Sequence, residues 1–236
     1  MKKINIGLIG CGRIAGHHFK AVEKNNNFKI SSVCDLNKEK AKLYSKKYNV
    51  PYYGHFEEML LNQKNLDIVA IMTPSGMHYE HSKNILNKFN VHLIVEKPTF
   101  LKSSQVTEIY SLAKKKRKKI FPVFQNRYNK AIKRLKNAIK NKELGDIGVV
   151  SVRVRWCRPQ AYYDLSVWRG TFSHDGGALT NQGIHHIDLL RYLFGDIKFV
   201  NARMNTYGAN IEVEDTVTAN FEFCNKSTGT LEITTS

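Results

Sequence analysis

Cysteine is scarce and scattered in this chain: four residues in 236, at positions 11, 34, 157 and 224, with no CxxC or zinc-ligand spacing. That pattern excludes a disulfide scaffold and a structural metal, and leaves reduced, mostly buried thiols as the expectation. Long apolar runs are missing too, and none reaches the ~20 residues that a membrane helix needs. The opening Met1-Lys2-Lys3 and its apolar sequel imitate a signal peptide. Glycines interrupt that run, however, and Arg13, His17, His18 and Lys20 follow it with no small-residue cleavage site. A buried first strand, a cytoplasmic protein and no membrane partner are therefore expected. Acidic residues are also short, 20 against 37 Lys and Arg, for a formal charge of +17. The densest basic run, Lys114 to Lys119, closes a helical segment just before Ile120-Phe121-Pro122-Val123-Phe124. Cations at a helix C-terminus are favoured by its dipole, so a solvated helix end accounts for the run without a nucleic-acid partner. The surplus charge serves instead to steer an anionic cofactor or substrate.

What is present is an ordinary globular composition, 42% hydrophobic and 11% aromatic, with enough chain to bury one large core or two modest ones. Neither internal repeats nor a low-complexity linker interrupt it. Up to about residue 124, strands alternate with helices. Strands are expected at Lys3–Ile9, Phe28–Cys34, 52–53, Asp67–Met72, His92–Val95 and Ile120–Phe124. Helices are expected at Ile14–Asn25, Lys38–Tyr48, Phe56–Asn62, His78–Phe89 and Ser103–Lys119. That alternation implies a doubly wound parallel α/β sheet with right-handed crossovers. From about residue 125 the pattern becomes α+β: a helix at Lys130–Asn141, a strand at Val149–Cys157, a helix at Ile184–Phe194, then strands at Val200–Tyr207, Thr216–Phe223 and Thr228–Thr234. The expectation is a Rossmann-type domain over 1–124, and over 125–236 an open-faced, mainly antiparallel sheet domain that is incomplete at its C-terminal side.

The first site signal is the loop Gly10-Cys11-Gly12-Arg13-Ile14-Ala15, lying between the first strand and the first helix. Gly10 permits the tight turn, Gly12 lets a pyrophosphate approach the backbone, and small Ala15 lets helix and strand pack closely. The helix N-terminus at Arg13 and Ile14 attracts the anion. Asp35, ending the second strand, is placed to accept from ribose hydroxyls and to repel a 2′-phosphate, which favours NAD over NADP. Two further loops occupy C-terminal strand ends, where open parallel sheets bind ligands. One is Thr73-Pro74-Ser75-Gly76-Met77-His78 and the other is Glu96-Lys97-Pro98. In the second half, Asn181, His185 and Asp188 recur at four and three residues, so a helix would present them on one face. No cysteine or second carboxylate stands at ligand spacing among them, so metal ligation is not expected.

These motifs, in this order and spacing, resemble the Gfo/Idh/MocA oxidoreductases, and the resemblance runs the whole length of the chain. It implies a Rossmann domain that binds NAD, followed by a sheet domain for substrate and for homo-oligomer contacts, as dimer or tetramer. It also implies that Lys97 lies beside the nicotinamide and the reacting hydroxyl, with His185 as the usual acid/base partner. Many members carry aspartate at the position of Asn181, so the role of a carboxylate there is lost. Asn181-Gln182-Gly183-Ile184-His185 with Trp168-Arg169-Gly170 is most similar to the subgroup that oxidises UDP-N-acetylglucosaminuronic acid at C3 for surface polysaccharides. That likeness implies Trp168 and Arg169 at the cofactor, and Arg127 and Arg169 as contacts to anionic groups. It implies Asn181, His185 and Asp188 at the substrate. The chemistry implied is reversible hydride transfer between a sugar or nucleotide-sugar hydroxyl and nicotinamide, with Lys97 and His185 sharing the proton work. Three rivals are an NAD-dependent glycosidase using transient C3 oxidation, another polyol or inositol dehydrogenase, and a sensor that reads the dinucleotide without turning it over.

Overall fold

The computed structural model describes residues 2–236, which form two compact units, one ending at Val123 and one running from Phe124 to Ser236. The first unit contains β1 (Ile4–Ile9), α1 (Ala15–Glu23), β2 (Phe28–Cys34), α2 (Lys38–Tyr48), β3 (Tyr52–Tyr53), α3 (Phe56–Asn62), β4 (Ile68–Ile71), α4 (His78–Lys88), β5 (His92–Val95), α5 (Ser103–Lys115) and β6 (Ile120–Pro122). Its six strands pair in the order β3-β2-β1-β4-β5-β6, every pair parallel. This is a doubly wound Rossmann sheet. β1 and β4 are neighbours although two strands lie between them in sequence, so the winding reverses between them and opens a crevice at their C-terminal ends.

Apolar residues cover both faces of that sheet. Val69 and Ile71 of β4 join Met59, Ile85, Leu93 and Ile109 on one side. Ile68 and Ala70 join Leu8, Ala15, Phe19 and Val33 on the other. A strand buried on both faces reads as a continuous apolar run, which is how β4 stands out in the sequence. Phe19, 1% exposed, stacks on Tyr48 and Tyr44 at centroid distances of 3.8 and 5.0 Å. Emptying that position costs about 3–5 kcal/mol and would loosen α1, the helix that carries the glycine loop. Helix α5 stops at Lys115 instead of running to Lys119. Arg117 takes a positive φ of 55° and the amide of Lys118 turns back to the Ala113 carbonyl, a left-handed stop that satisfies the last carbonyls.

The second unit contains α6 (Lys130–Lys140), β7 (Val149–Arg155), a five-residue α7 (Gln160–Asp164), α8 (Ile184–Phe194), β8 (Ile197–Asn205), β9 (Thr216–Phe223) and β10 (Thr228–Thr234). The sheet order is β7-β10-β9-β8, with β10–β9 and β9–β8 antiparallel but β10–β7 parallel. Two of its three pairings are antiparallel, which agrees with the mainly antiparallel sheet expected, and the parallel β10–β7 pair makes it mixed. One face packs Phe221, Phe223, Leu231 and Ile233 against Leu190 and Ala178, while the other turns Ser151, Arg153, Thr230 and Asn220 outward. Just before α8 the chain makes a π-helical turn, Ala178–Gln182. A Cβ at Gly183 would meet Ile233 Cδ1 at 2.2 Å and the Leu179 carbonyl oxygen at 2.8 Å, so only glycine fits the junction.

Candidate active site

Three loops cluster at the C-terminal ends of β1, β4 and β5. Gly10 has φ +99°, and a Cβ there would stand 2.7 Å from the Met72 carbonyl oxygen, so only glycine carries β1 so close to the end of β4. Gly12 differs, since a Cβ there would point into open space. Ala15 is fully buried, and α1 begins with no side-chain cap. Among the described residues no acceptor is bonded to the amides of Arg13 and Ile14. Open room over a glycine beside an uncapped helix start is what a dinucleotide pyrophosphate requires, so the residues present fit NAD. The Asp35 carboxylate also braces this loop. It accepts from the Cys11 amide at 2.7 Å and from the Asn37 amide at 2.8 Å, which stations it beside the glycine loop at the end of β2. Burial, then the charge of Asp35, pushes the Cys11 thiol up to about 12, so it stays protonated and takes no nucleophilic part.

The Thr73 loop and the Glu96-Lys97-Pro98 loop are joined by His78. That ring is 1% exposed, with Nδ1 2.8 Å from the Pro98 carbonyl oxygen and Nε2 2.9 Å from that of Thr73. His78 therefore braces both loops from beneath, and the expectation of a cofactor contact is corrected: burial leaves no ring atom for a ligand. Burial pulls its pKa below the ordinary histidine value, against the opposite pull of the two carbonyls and of Glu96. Ser75 is buried, while Thr73 and Pro74 are half-buried at the mouth of the crevice.

Glu96 is 7% exposed and splits its carboxylate between two partners. Oε1 lies 2.7 Å from His18 Nε2, and Oε2 accepts the Lys97 amide at 3.0 Å. Burial works to raise its pKa, but the His18 hydrogen bond and charge and the Lys97 amide outweigh it and hold the carboxyl below its ordinary range. His18, on α1, went unnoticed in the sequence. Its signal is a histidine four residues into the helix that the glycine loop opens. The pair ties that helix to the peptide leading into Lys97, which is half-buried.

In the second unit, Asn181 is buried within the π-helical turn rather than on α8, and its amide donates to the buried Asp175, which also accepts the Gly170 amide at 2.7 Å. A carboxylate thus sits one side chain beyond Asn181, a residue that sequence spacing did not reveal. His185, 9% exposed, stands edge-on to Phe124 at 6.4 Å. Asp188 and Arg127 hold each other. Arg127 Nε donates to Oδ2 at 2.7 Å, a second guanidinium nitrogen donates to Oδ1, and the guanidinium lies over the rings of Phe124 and Tyr192. Arg127 nevertheless keeps 40% of its side chain exposed. The Asp188 side chain is 9% exposed. The pair fixes the turn of α8 that follows His185. Trp168 and Arg169 lie in the loop after α7, the guanidinium 4.9 Å from the indole centroid.

Residues 4–124 match the family described as an oxidoreductase family with an NAD-binding Rossmann fold, GFO_IDH_MocA, and residues 132–236 match that family's C-terminal domain. The chain belongs to the Gfo/Idh/MocA family. Among its relatives, the D-glucoside 3-dehydrogenase of Escherichia coli K12 is 29% identical over 204 residues, 84% of this chain and 57% of that protein. The glucose-6-phosphate 3-dehydrogenase of Bacillus subtilis 168 is 31% identical over 212 residues, 87% of this chain and 58% of that protein. The chain therefore spans less than three-fifths of the length of these two Gfo/Idh/MocA relatives. In structure it resembles the WlbA dehydrogenase of Chromobacterium violaceum, crystallised with NADH and UDP-GlcNAcA. The TM-score is 0.95 at 37% identity, covering 100% of this chain and 68% of that one. The Bordetella pertussis WlbA dehydrogenase, in complex with the same two compounds, gives 0.95 at 32% identity over 99% of this chain and 67% of its own.

Proposed function

We propose that this chain is the NAD-binding and substrate-binding part of a dehydrogenase that oxidises a secondary hydroxyl at C3 of a nucleotide-linked hexuronic acid, of the UDP-N-acetylglucosaminuronate kind. One observation carries the reading: likeness over the whole of this chain, though over 68% of the other, to a WlbA dehydrogenase whose crystal holds NADH and UDP-GlcNAcA. The two curated relatives above, named for oxidation at carbon 3 of other sugars, support the same carbon. Surface polysaccharide synthesis is the setting that fits such a product.

Bound NAD supplies a two-electron acceptor for the CH–OH group. The chain's own residues have the remaining tasks. Gly10, Gly12 and the uncapped start of α1 receive the pyrophosphate, and Asp35 receives the ribose. Lys97, held through its backbone by Glu96, orients the reacting hydroxyl by hydrogen bonding and stabilises developing negative charge on its oxygen. His185 shares the removal of the hydroxyl proton. Asn181, held by Asp175, is read as a further polar contact to the substrate. The outward face of the second unit's sheet is read as the surface for a second copy of the chain.

The test is NADH absorbance on mixing the protein with NAD and UDP-GlcNAcA. Lys97→Met and His185→Asn are each expected to lower kcat by about 10²–10⁴. Turnover of a free glucoside with none of the nucleotide sugar overturns the substrate. Near-normal kcat in both variants overturns the residue roles.

A further inference from the structure

The excess positive charge of this chain is unevenly placed. The first unit holds twenty-two Lys and Arg against nine Asp and Glu, and the second fifteen against eleven. Within the first unit the excess collects at one pole. A helix that crosses back over a parallel sheet ends where the next strand begins, so the C-terminal ends of α1, α4 and α5 lie at the edge opposite the crevice. Hydrogen bonds join the loops of that edge into one surface. The Ile4 amide donates to Asn27, the Asp67 amide to Asn5, the His92 amide to Asp67 and the Leu93 amide to Lys119. On this surface stand Lys2, Lys3, Lys24, Lys29, Lys64 and Lys88, together with the run Lys114 to Lys119, all exposed except the half-buried Lys118. Its carboxylates are Glu23 and Asp67, and the second already accepts the Asn5 amide at 2.8 Å. None of these bases enters an ion pair among the described residues. Burial first, then the charges of Lys118 and Lys119, push the His92 imidazole on this edge below its ordinary value.

A helix dipole favours cations within its last turn only. That accounts for Lys114 and Lys115 of α5, and not for the four bases after them. Steering of a ligand into the crevice, the use expected from the sequence, does not account for the pole either. β1 has six residues, so the pole stands about 20 Å from the glycine loop, more than two Debye lengths at physiological ionic strength. We propose that this pole is an electrostatic docking surface for an anionic phospholipid bilayer, with the cofactor crevice left facing solvent. Helix C-termini present carbonyl oxygens and no free amides, so the backbone here makes no clamp for a single phosphate. The charge rides instead on long flexible lysine stems, with Arg117 the one guanidinium among them. A dispersed field of that kind suits a layer of headgroups, which asks for no fixed geometry. Nucleic acid is read by arginine forks and held by aromatic stacking, and no exposed aromatic side chain belongs to these loops among the described residues. No helix among those residues is long and apolar enough to cross a membrane. The expectation of no membrane partner thus becomes a surface contact without insertion. The proposal is independent of the substrate reading above.

The experiment is flotation of the full chain with vesicles of phosphatidylcholine alone or mixed with phosphatidylglycerol, at about 0.1 M and about 0.5 M salt. Wild type is expected to float with the anionic vesicles at the lower salt, to ignore the neutral ones, and to come off at the higher salt. A lysine near an anionic bilayer is worth about fivefold in partition. The combined Lys88→Gln, Lys114→Gln, Lys115→Gln and Lys119→Gln variant should therefore bind about a hundredfold or more weakly. Lys24→Gln with Lys64→Gln, a milder pair on the same pole, should lose about tenfold or more. A control, Lys130→Gln, Lys133→Gln, Lys140→Gln and Lys198→Gln, removes the same charge from the second unit and should bind like wild type. Far-UV dichroism and NADH affinity check folding, and wild type on vesicles should bind NADH as it does in solution. Failure of wild type to float with anionic vesicles would overturn the proposal. Equal losses in the pole and control variants assign the binding to net charge and overturn the pole. Loss of NADH binding on vesicles puts the crevice against lipid and overturns the orientation. Single-stranded RNA or duplex DNA held through the same lysines more tightly than vesicles overturns the bilayer as partner.

Discussion

Glu96→Gln isolates the brace between the glycine-loop helix and the peptide that carries Lys97. The carboxylate serves two donors, His18 Nε2 at 2.7 Å and the Lys97 amide at 3.0 Å, and is 7% exposed. A glutamine has one carbonyl oxygen and an NH2, so it keeps the Lys97 amide only by turning its NH2 to His18, whose Nε2 must then give up its proton and accept. The loss is one charge-assisted hydrogen bond, about 1.5–3 kcal/mol. For a unit of this size that lowers Tm by about 3–6 °C per kcal/mol. The pH dependence gives a second signature. Glu96 has a folded pKa below its ordinary value of 4.5, so its stabilisation is fully present above that value and is lost as pH falls through the lowered one. The gap between wild type and variant, followed by urea unfolding, is therefore expected to be full at about pH 7 and to shrink below about pH 4. Adding His18→Ala to the variant should cost little more, because the partner has already gone. A variant as stable as wild type at pH 7, or a gap unchanged in acid, refutes the brace.

Gly10→Ala and Gly12→Ala should separate folding from binding. The first forces a side chain at φ +99° against the Met72 carbonyl, with a thermal-melt loss of about 2 kcal/mol or more. The second adds a methyl into open space, so Tm holds while NADH affinity, read by fluorescence, drops about tenfold as the pyrophosphate loses its close approach. His78→Ala leaves two carbonyl oxygens without their ring and a buried hole, for a loss of about 2–4 kcal/mol. Because burial lowers the folded pKa of His78, wild type loses stability as pH falls below the ordinary histidine value of about 6.5. Unfolding curves of the alanine variant should show less of that acid sensitivity.

Much of the first unit was legible because its signals are local. β2 and α2 fall on the expected residues. Asn37 supplies an N-cap that accepts from Glu39 and Lys40, and Asn49 a left-handed stop, so both ends of α2 are written beside the helix itself. The glycine loop, Asp35 and the Glu96 loop were found because a parallel sheet delivers its loops to one edge. What stayed hidden depends on partners far apart in the chain. Arg127 and Asp188 are 61 positions apart, and nothing local tells that one neutralises the other. His78 looked like a ligand contact because it follows the Thr73 loop, and its burial is set by Pro98 and Thr73 packing around it. The alternation along β10 gave its inner face but not its parallel neighbour β7, since period-two patterning selects a face and not a partner. Asn181 was expected on the helix, and the π-helical turn that Gly183 demands moved it to Asp175 instead.

The position of β10 in its sheet has a consequence for synthesis. It lies between β7 and β9, and Ser151 meets Thr230 across 79 positions of chain. The second unit therefore cannot close its core until Leu231 and Ile233 have been made. Every strand of the first unit precedes Val123, and domains emerge N-terminal first at about 5–20 residues per second. For roughly 5–20 s on the ribosome, then, a finished dinucleotide cradle trails a sheet whose central strand does not yet exist. Over that interval β7 and β9 expose unpaired edges that other chains can join. Nascent chains caught at this stage should be the aggregation-prone ones, and dinucleotide captured early would protect only the half that is already folded.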